Sequence, residues 1–276
     1  MNPSPVKAVK WNAKLTGKVI MDCFLVISTA LAIILIEVYV NPYQRGFFCD
    51  DVNLRYPLKD STYPGWSLAV VLAVPLVVMA FTEGIIFKSS LKKSLVQIYK
   101  HFGIYIFGFL LHFLLVDYIK YSAGRLRPHF FDICQPVMAD GTNCASPANQ
   151  GLYIMNYTCS NPDITERSLK EFRLSFPSGH SSISFYAMTY LALYIHGRWN
   201  TCKILKFIVE FLCILFAVSV AVSRVSDYWH FWSDVCAGSL IGIISAALVV
   251  RFVSDLYKRR SVPNNFENQI QYLSGV

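Results

Sequence analysis

The sequence predicts an all-α membrane protein built as a bundle of six transmembrane helices, and three observations carry that reading. Of 276 residues only 15% are charged while 54% are hydrophobic, against about 25% charge in soluble domains. Mean hydropathy is +0.42. The apolar residues gather into runs that reach or approach the roughly 20 residues a helix needs to cross a hydrocarbon core. Together these features exclude an ordinary water-soluble enzyme and a disordered chain. The net charge of +8 sits in short clusters between apolar runs, a distribution that speaks for a membrane surface and against nucleic acid as the partner.

The runs fall in order at Val19–Val40, Trp66–Phe87, His101–Tyr118, Ser181–Ile195, Ile204–Val222 and Phe231–Val250. The first is too long for a cleaved signal peptide, and the fourth is short and calls for extension beyond its ends. A basic cytosolic tail is expected over 1–18 and a second cytosolic tail over 256–276. Between them, residues 19–255 form the membrane domain, with outer loops at 41–65, 119–180 and 223–230. Lys and Arg near helix ends set the orientation. They concentrate at Lys7, Lys10, Lys14 and Lys18, at Lys88, Lys92, Lys93 and Lys100, at Arg198, Lys203 and Lys206, and at Arg251, Lys258, Arg259 and Arg260. Both termini are therefore expected in the cytosol.

Two further features fit that orientation. Asn156-Tyr157-Thr158 is a glycosylation sequon in the long outer loop. Cys49, Cys134, Cys144 and Cys159 also lie in the outer loops, where an oxidising compartment favours disulfides, and three pairings are open.

Three clusters carry the chemistry. The first runs from Lys120 to Pro128 after the third helix, and the second is Pro177-Ser178-Gly179-His180 before the fourth. The third, Ser223 to Asp234, ends inside the sixth. No helix separates the first two clusters and two helices separate the second from the third, so all three emerge at one membrane face. Lys120, Arg127 and Arg224 bring cations suited to phosphate oxygens. Ser178 and Gly179 sit where a loop becomes a helix, so their amides face an anion with the helix dipole behind them. His230 and Asp234 are spaced i and i+4. On a helix the carboxylate accepts one imidazole N–H and leaves the other nitrogen as a nucleophile. His180 is then a general acid and base. Nothing in this design demands a metal or cofactor, since neither a carboxylate cluster for magnesium nor a zinc spacing is present.

These segments resemble the three signature motifs of the type 2 phosphatidic acid phosphatase superfamily, matching each fixed position: Lys120, Arg127 and Pro128; Pro177, Ser178, Gly179 and His180; Ser223, Arg224, His230 and Asp234. The stretch Asn41 to Cys49, with Tyr56-Pro57, resembles the animal lipid phosphate phosphatases more narrowly. The resemblance implies a six-helix core like that of the vanadium haloperoxidases and a magnesium-independent phosphatase. It also implies action on phosphatidate, lysophosphatidate, sphingosine 1-phosphate and ceramide 1-phosphate through a phosphohistidine. It makes His230 the nucleophile, Asp234 its orienting partner and His180 the acid and base, with phosphate held by Lys120, Arg127, Ser178, Gly179 and Arg224. The expected setting is the plasma membrane, with the site extracellular or lumenal and membrane lipid phosphates as partners. A homo-oligomer is compatible with this reading.

Rival readings are a phosphatase for polyprenyl diphosphate or another phosphate ester, a transporter, and a scaffold without catalysis. Arg125 and His129 fit a phosphate rim or plain interface equally. Tyr118, Tyr121, Tyr228, Trp229, Trp232 and Trp66 fit a lipid vestibule or an aromatic belt. Gly238 and Gly242 are better explained by packing inside the bundle than by dimerisation. Asp22, Glu37, Glu83, His112, Asp117 and Glu210 lie in or near the helices, where acids are functional candidates by default, yet most are within a turn or two of an expected helix end and can reach water.

Overall fold

In hydrocarbon a chain must close its backbone hydrogen bonds internally, which apolar segments do by coiling into helices. The computed structural model describes residues 13–257 and shows six long helices. These are α1 (Ala13–Tyr39), α2 (Ser67–Ile86), α3 (Leu91–Ala123), α6 (Gly179–Arg198), α7 (Lys203–Ser226) and α8 (Trp232–Leu248), the last continued by a π turn over Val249–Val253. Between α3 and α6 lie the short helices α4 (Phe130–Cys134) and α5 (Glu166–Glu171). Four brief strands complete the loop region: β1 (Phe47–Phe48), β2 (Pro136–Met138), β3 (Tyr153–Ile154) and β4 (Tyr157–Cys159). They pair antiparallel as β1 with β3 and β2 with β4.

Helix boundaries differ from the sequence reading in instructive places. The expected N-terminal tail 1–18 yields Ala13–Lys18 to α1, while Lys7, Lys10, Lys258, Arg259 and Arg260 fall outside the described residues. The third helix has 33 residues and runs five past Tyr118. Lys120 therefore stands in the last turn of α3 and not in the following loop. Such an overrun is natural where the helix end is covered by protein: Gly124 closes α3 in the left-handed conformation at φ 55°, and Tyr43 N–H donates to the Tyr121 carbonyl at 2.9 Å.

Five of the six long helices are long and apolar enough by composition to cross a membrane; α6 is not among them. The reason is its position. Ser181, Ser182, Ser184, Tyr186, Tyr190 and Tyr194 are all buried on α6, which packs against α8, α7 and α2. Surrounded by protein, it does not need a lipid-facing composition. Close approach to α8 depends on the small pair the sequence suggested. A Cβ at Gly238 would meet the Ser178 backbone, and one at Gly242 would meet the Ser182 carbonyl. These contacts lie within the bundle.

The end of the bundle away from the three motifs is closed by a buried ion pair. Glu83, fully buried, receives Arg198 Nε at 2.7 Å and the Tyr194 hydroxyl at 2.8 Å. Glu83 is thus satisfied by protein partners, as a charge at that depth requires.

The loops at the motif end of the bundle are better ordered than their polar composition suggests. Phe47, Leu54, Leu126, Phe130 and Phe172 form a small second core, tied by disulfides Cys49–Cys144 and Cys134–Cys159. This selects one of the three open pairings, while Cys23, Cys202, Cys213 and Cys236 are free. Asn156 is exposed in the turn between β3 and β4.

Candidate active site

A cavity of about 360 Å³ opens at the end of the bundle where α3 and α7 finish and α6 begins, and Lys120, Arg127, Gly179, His180, Arg224 and His230 all line it. Six of the eight site residues predicted around phosphate chemistry are thus brought to one space. Ser178 and Asp234 stand behind its wall.

Each cation is held differently. Arg127 follows the end of α3, and its Nε donates to the Glu171 carbonyl at 2.9 Å while the guanidinium lies over the Trp229 ring at 5.0 Å. Two of its three nitrogens are left to serve the cavity. Arg224, in the last turn of α7 and 1% exposed, donates to Ser61 Oγ at 2.6 Å and pairs with Asp227 at 3.1 Å. Asp227 in turn accepts from the Thr62 N–H at 2.8 Å, so the loop before α2 is clamped onto the third motif. The sequence reading assigned Ser61, Thr62 and Asp227 no part; only Asp227 lay inside a motif, and nothing about the other two marks them before folding.

Lys120 points at Gly179, where a Cβ would lie 2.8 Å from its Nζ. The missing side chain is what lets the ammonium lie against the start of α6. Gly179→Ala should therefore push Lys120 aside without disturbing the fold, because the obstructing atom is the end of a flexible side chain. The expected result is a rise of roughly three- to tenfold in KM with a smaller change in kcat, measured by steady-state phosphate release.

Ser178 is the N-cap of α6: its hydroxyl accepts from Ser181 Oγ at 3.1 Å, and its N–H donates to the Asp234 carbonyl at 3.0 Å. With the side chain committed to the cap, the α6 N-terminal amides are what the helix presents to the cavity. His180 follows at once, and its Nε2 is buried without a hydrogen-bond partner. Such an atom is costly unless a bound group engages it.

His230 departs from the sequence reading. It lies before α8, whose first helical residue is Trp232, so the i and i+4 relation to Asp234 is not a shared helical face. Its Nδ1 sits 3.8 Å from Asp234 Oδ2, beyond hydrogen-bond reach. Nδ1 instead donates to the Ser175 carbonyl at 2.7 Å. A carbonyl only accepts, so Nδ1 carries the proton and Nε2 keeps its lone pair. Asp234, fully buried, accepts from Ser175 Oγ at 2.6 Å and from the Phe231 N–H at 3.1 Å, and it pairs with Arg125. The carboxylate thus fixes Ser175, and Ser175 fixes the imidazole. Arg125 is neither rim nor bystander, since it neutralises Asp234 and covers Phe231 at 4.3 Å. His129 Nδ1 donates to the Tyr228 carbonyl at 2.9 Å, supporting a turn in which Tyr228 has φ 58°. Burial lowers His230 to about 4, with Arg127 and Lys120 acting in the same direction, so the ring is neutral at pH 7.

Comparison with known proteins places this site in a family. The PAP2 superfamily pattern matches residues 101–258, which span all three motifs. A Drosophila melanogaster protein named "Putative phosphatidate phosphatase" is 44% identical over 270 residues, covering 90% of this chain and 71% of its own. "Phospholipid phosphatase 2" of Mus musculus is 35% identical over 252 residues, 88% of each chain. "Phospholipid phosphatase 1" of Rattus norvegicus is 35% identical over 252 residues, covering 87% of this chain and 86% of its own. No solved structure matches the chain. With the family pattern extending over more than half the sequence and relatives aligned along most of it, this chain belongs to the PAP2 superfamily and is an integral membrane phosphatase of that family.

Proposed function

We propose that this protein hydrolyses lipid phosphomonoesters, among them phosphatidate, lysophosphatidate, sphingosine 1-phosphate and ceramide 1-phosphate. In this reading it acts at the extracellular or lumenal face of the membrane, the plasma membrane first, with both termini cytosolic. The observation that carries it is one cavity at a helix-bundle end that Lys120, Arg127 and Arg224 line together with two histidines. At that depth a phosphate meets the cations while the acyl chains stay between helices. Apolar side chains of α2, α3 and α6 (Leu68, Phe113 and Ile183) line the same cavity.

The mechanism follows in two steps. His230 Nε2 attacks phosphorus and the bond from phosphorus to the lipid oxygen breaks. His180 supplies the proton that the departing alkoxide takes up. The Lys and Arg side chains and the α6 amides hold the three equatorial oxygens as charge spreads over them. His180, now deprotonated, removes a proton from water, which attacks the phosphohistidine and returns His230 with inorganic phosphate. Asp234 acts through Ser175 to keep the attacking tautomer. The exposed Asn156 is the proposed glycan acceptor.

The test is inorganic phosphate release from lysophosphatidate in detergent micelles containing EDTA, followed by an alkaline denaturing quench that keeps phosphate on the protein. Release that survives EDTA, with an acid-labile, base-stable adduct on the peptide carrying His230, is expected. Folded protein that releases no phosphate from any of the four lipids would sink the reading.

A further inference from the structure

The phosphate cage accounts for the cations and histidines of the cavity, yet one buried carboxylate in its wall has no task. Asp117 lies on α3, is 4% exposed and lines the cavity. Its Oδ2 has no hydrogen-bond partner. Lys120, three residues along the same helix face, is the natural counter-ion, but its ammonium is turned to Gly179 at the phosphate end. Glu37 of α1 borders the same cavity and adds a second negative charge. Lys120 acts on Asp117 through space, but a phosphate dianion that draws the ammonium to itself is repelled by the carboxylate left behind, unless a second positive group comes to lie between them.

Position indicates what that group is. Along α3 the cavity-lining residues descend from Lys120 to Asp117 and then to Phe113. Three residues is about 4.5 Å of helix rise. The order from the end of the bundle inward is thus cation, anion, aromatic ring. A lipid whose phosphate engages Lys120 lays the next carbon's substituent beside Asp117 and its chain beside Phe113.

We propose that Asp117 is a specificity-determining residue that binds a free ammonium on the carbon adjacent to the phosphate-bearing carbon. The substrates it favours are then long-chain amino-alcohol phosphates over phosphatidate, whose ester at that place offers only acceptors to a carboxylate. This rests on the phosphatase reading of the cavity and adds the substrate class it prefers.

The experiment compares kcat/KM for sphingosine 1-phosphate with kcat/KM for phosphatidate in the same micelles, for native protein, Asp117→Asn and Asp117→Ala. The isosteric Asn variant removes the charge and keeps the shape. A charge-assisted contact is strong enough that the ratio should fall at least about tenfold in both variants. Ceramide 1-phosphate, whose nitrogen is acylated and uncharged, supplies a control that needs no variant. Native protein should prefer the free amine over it, and Asp117→Asn should leave the ratio of ceramide 1-phosphate to phosphatidate within about twofold. If Asp117 only balances Lys120, all substrates fall by one factor and the ratios hold, which overturns the proposal. Native protein that shows no preference for the free amine overturns it equally. Native protein that cleaves none of the three lipids overturns the phosphatase reading first.

Discussion

His230→Ala loses phosphate release from lysophosphatidate by roughly 10⁴-fold or more, as removal of a nucleophile does in enzymes that pass through a covalent intermediate. The same variant forms no acid-labile phosphoprotein, while its lipid affinity, set by Lys120, Arg127 and Arg224, changes little. The native pH profile belongs to the same expectation. Because His230 is lowered to about 4, kcat/KM keeps its nucleophile through neutral pH and loses it as pH falls through that value. The ordinary histidine value near 6.5 is not where the loss occurs. An acid limb near 6.5, or an alanine variant that retains turnover, refutes the assignment.

The second large effect is at Asp234. Asp234→Asn lowers kcat by about 10²-fold or more with little change in KM, because the cations that hold phosphate are untouched. It also weakens the fold by about 3 kcal/mol. That is the low end for breaking a buried pair, since Arg125 keeps partial contact with water. The structure adds a discriminating companion. Orientation of His230 runs through the Ser175 carbonyl and not through a direct carboxylate contact. Ser175→Ala, which removes the Oγ link to Asp234, should therefore lower kcat in the same direction by about tenfold. A silent Ser175→Ala beside a crippled Asp234→Asn would return the orienting role to a direct contact formed only with substrate bound.

Much of this was legible before the chain was folded, for a physical reason. Transmembrane helices announce themselves through uninterrupted apolarity, and parity of crossings places motifs on one face without any coordinates. The three motifs each carry charge or imidazole that has no business near hydrocarbon, so Lys120, Arg127, His180, Arg224 and His230 stood out. What did not show is whatever depends on backbone carbonyls and small neutral side chains. Ser175 contributes a carbonyl and a hydroxyl, groups every loop contains. Ser61 and Thr62 lie far in sequence from Arg224 and Asp227, which they meet directly only in the folded chain. The length of α3 was likewise hidden, because hydropathy ends at Tyr118 while the hydrogen-bonded helix continues under cover of the Tyr43 segment. The spacing of His230 and Asp234 misled for the opposite reason: it reads as helical, yet α8 begins only between them.

The central place of α6 has a consequence for how the chain is made. Its serines, tyrosines and His180 would enter a bilayer singly only at a cost, since polar groups in hydrocarbon require partners. The tyrosine hydroxyls of Tyr186 and Tyr194 find partners on α3 and α2, made earlier, but α7 and α8, which cover most of the rest of the helix, are synthesised after it. During biosynthesis α6 must therefore wait at the translocon, or at the bundle's flank, until the following hairpin arrives to receive it. The catalytic end of the molecule is in this sense the last part to be assembled, and truncations after α6 should leave a chain that inserts incompletely and is cleared by quality control.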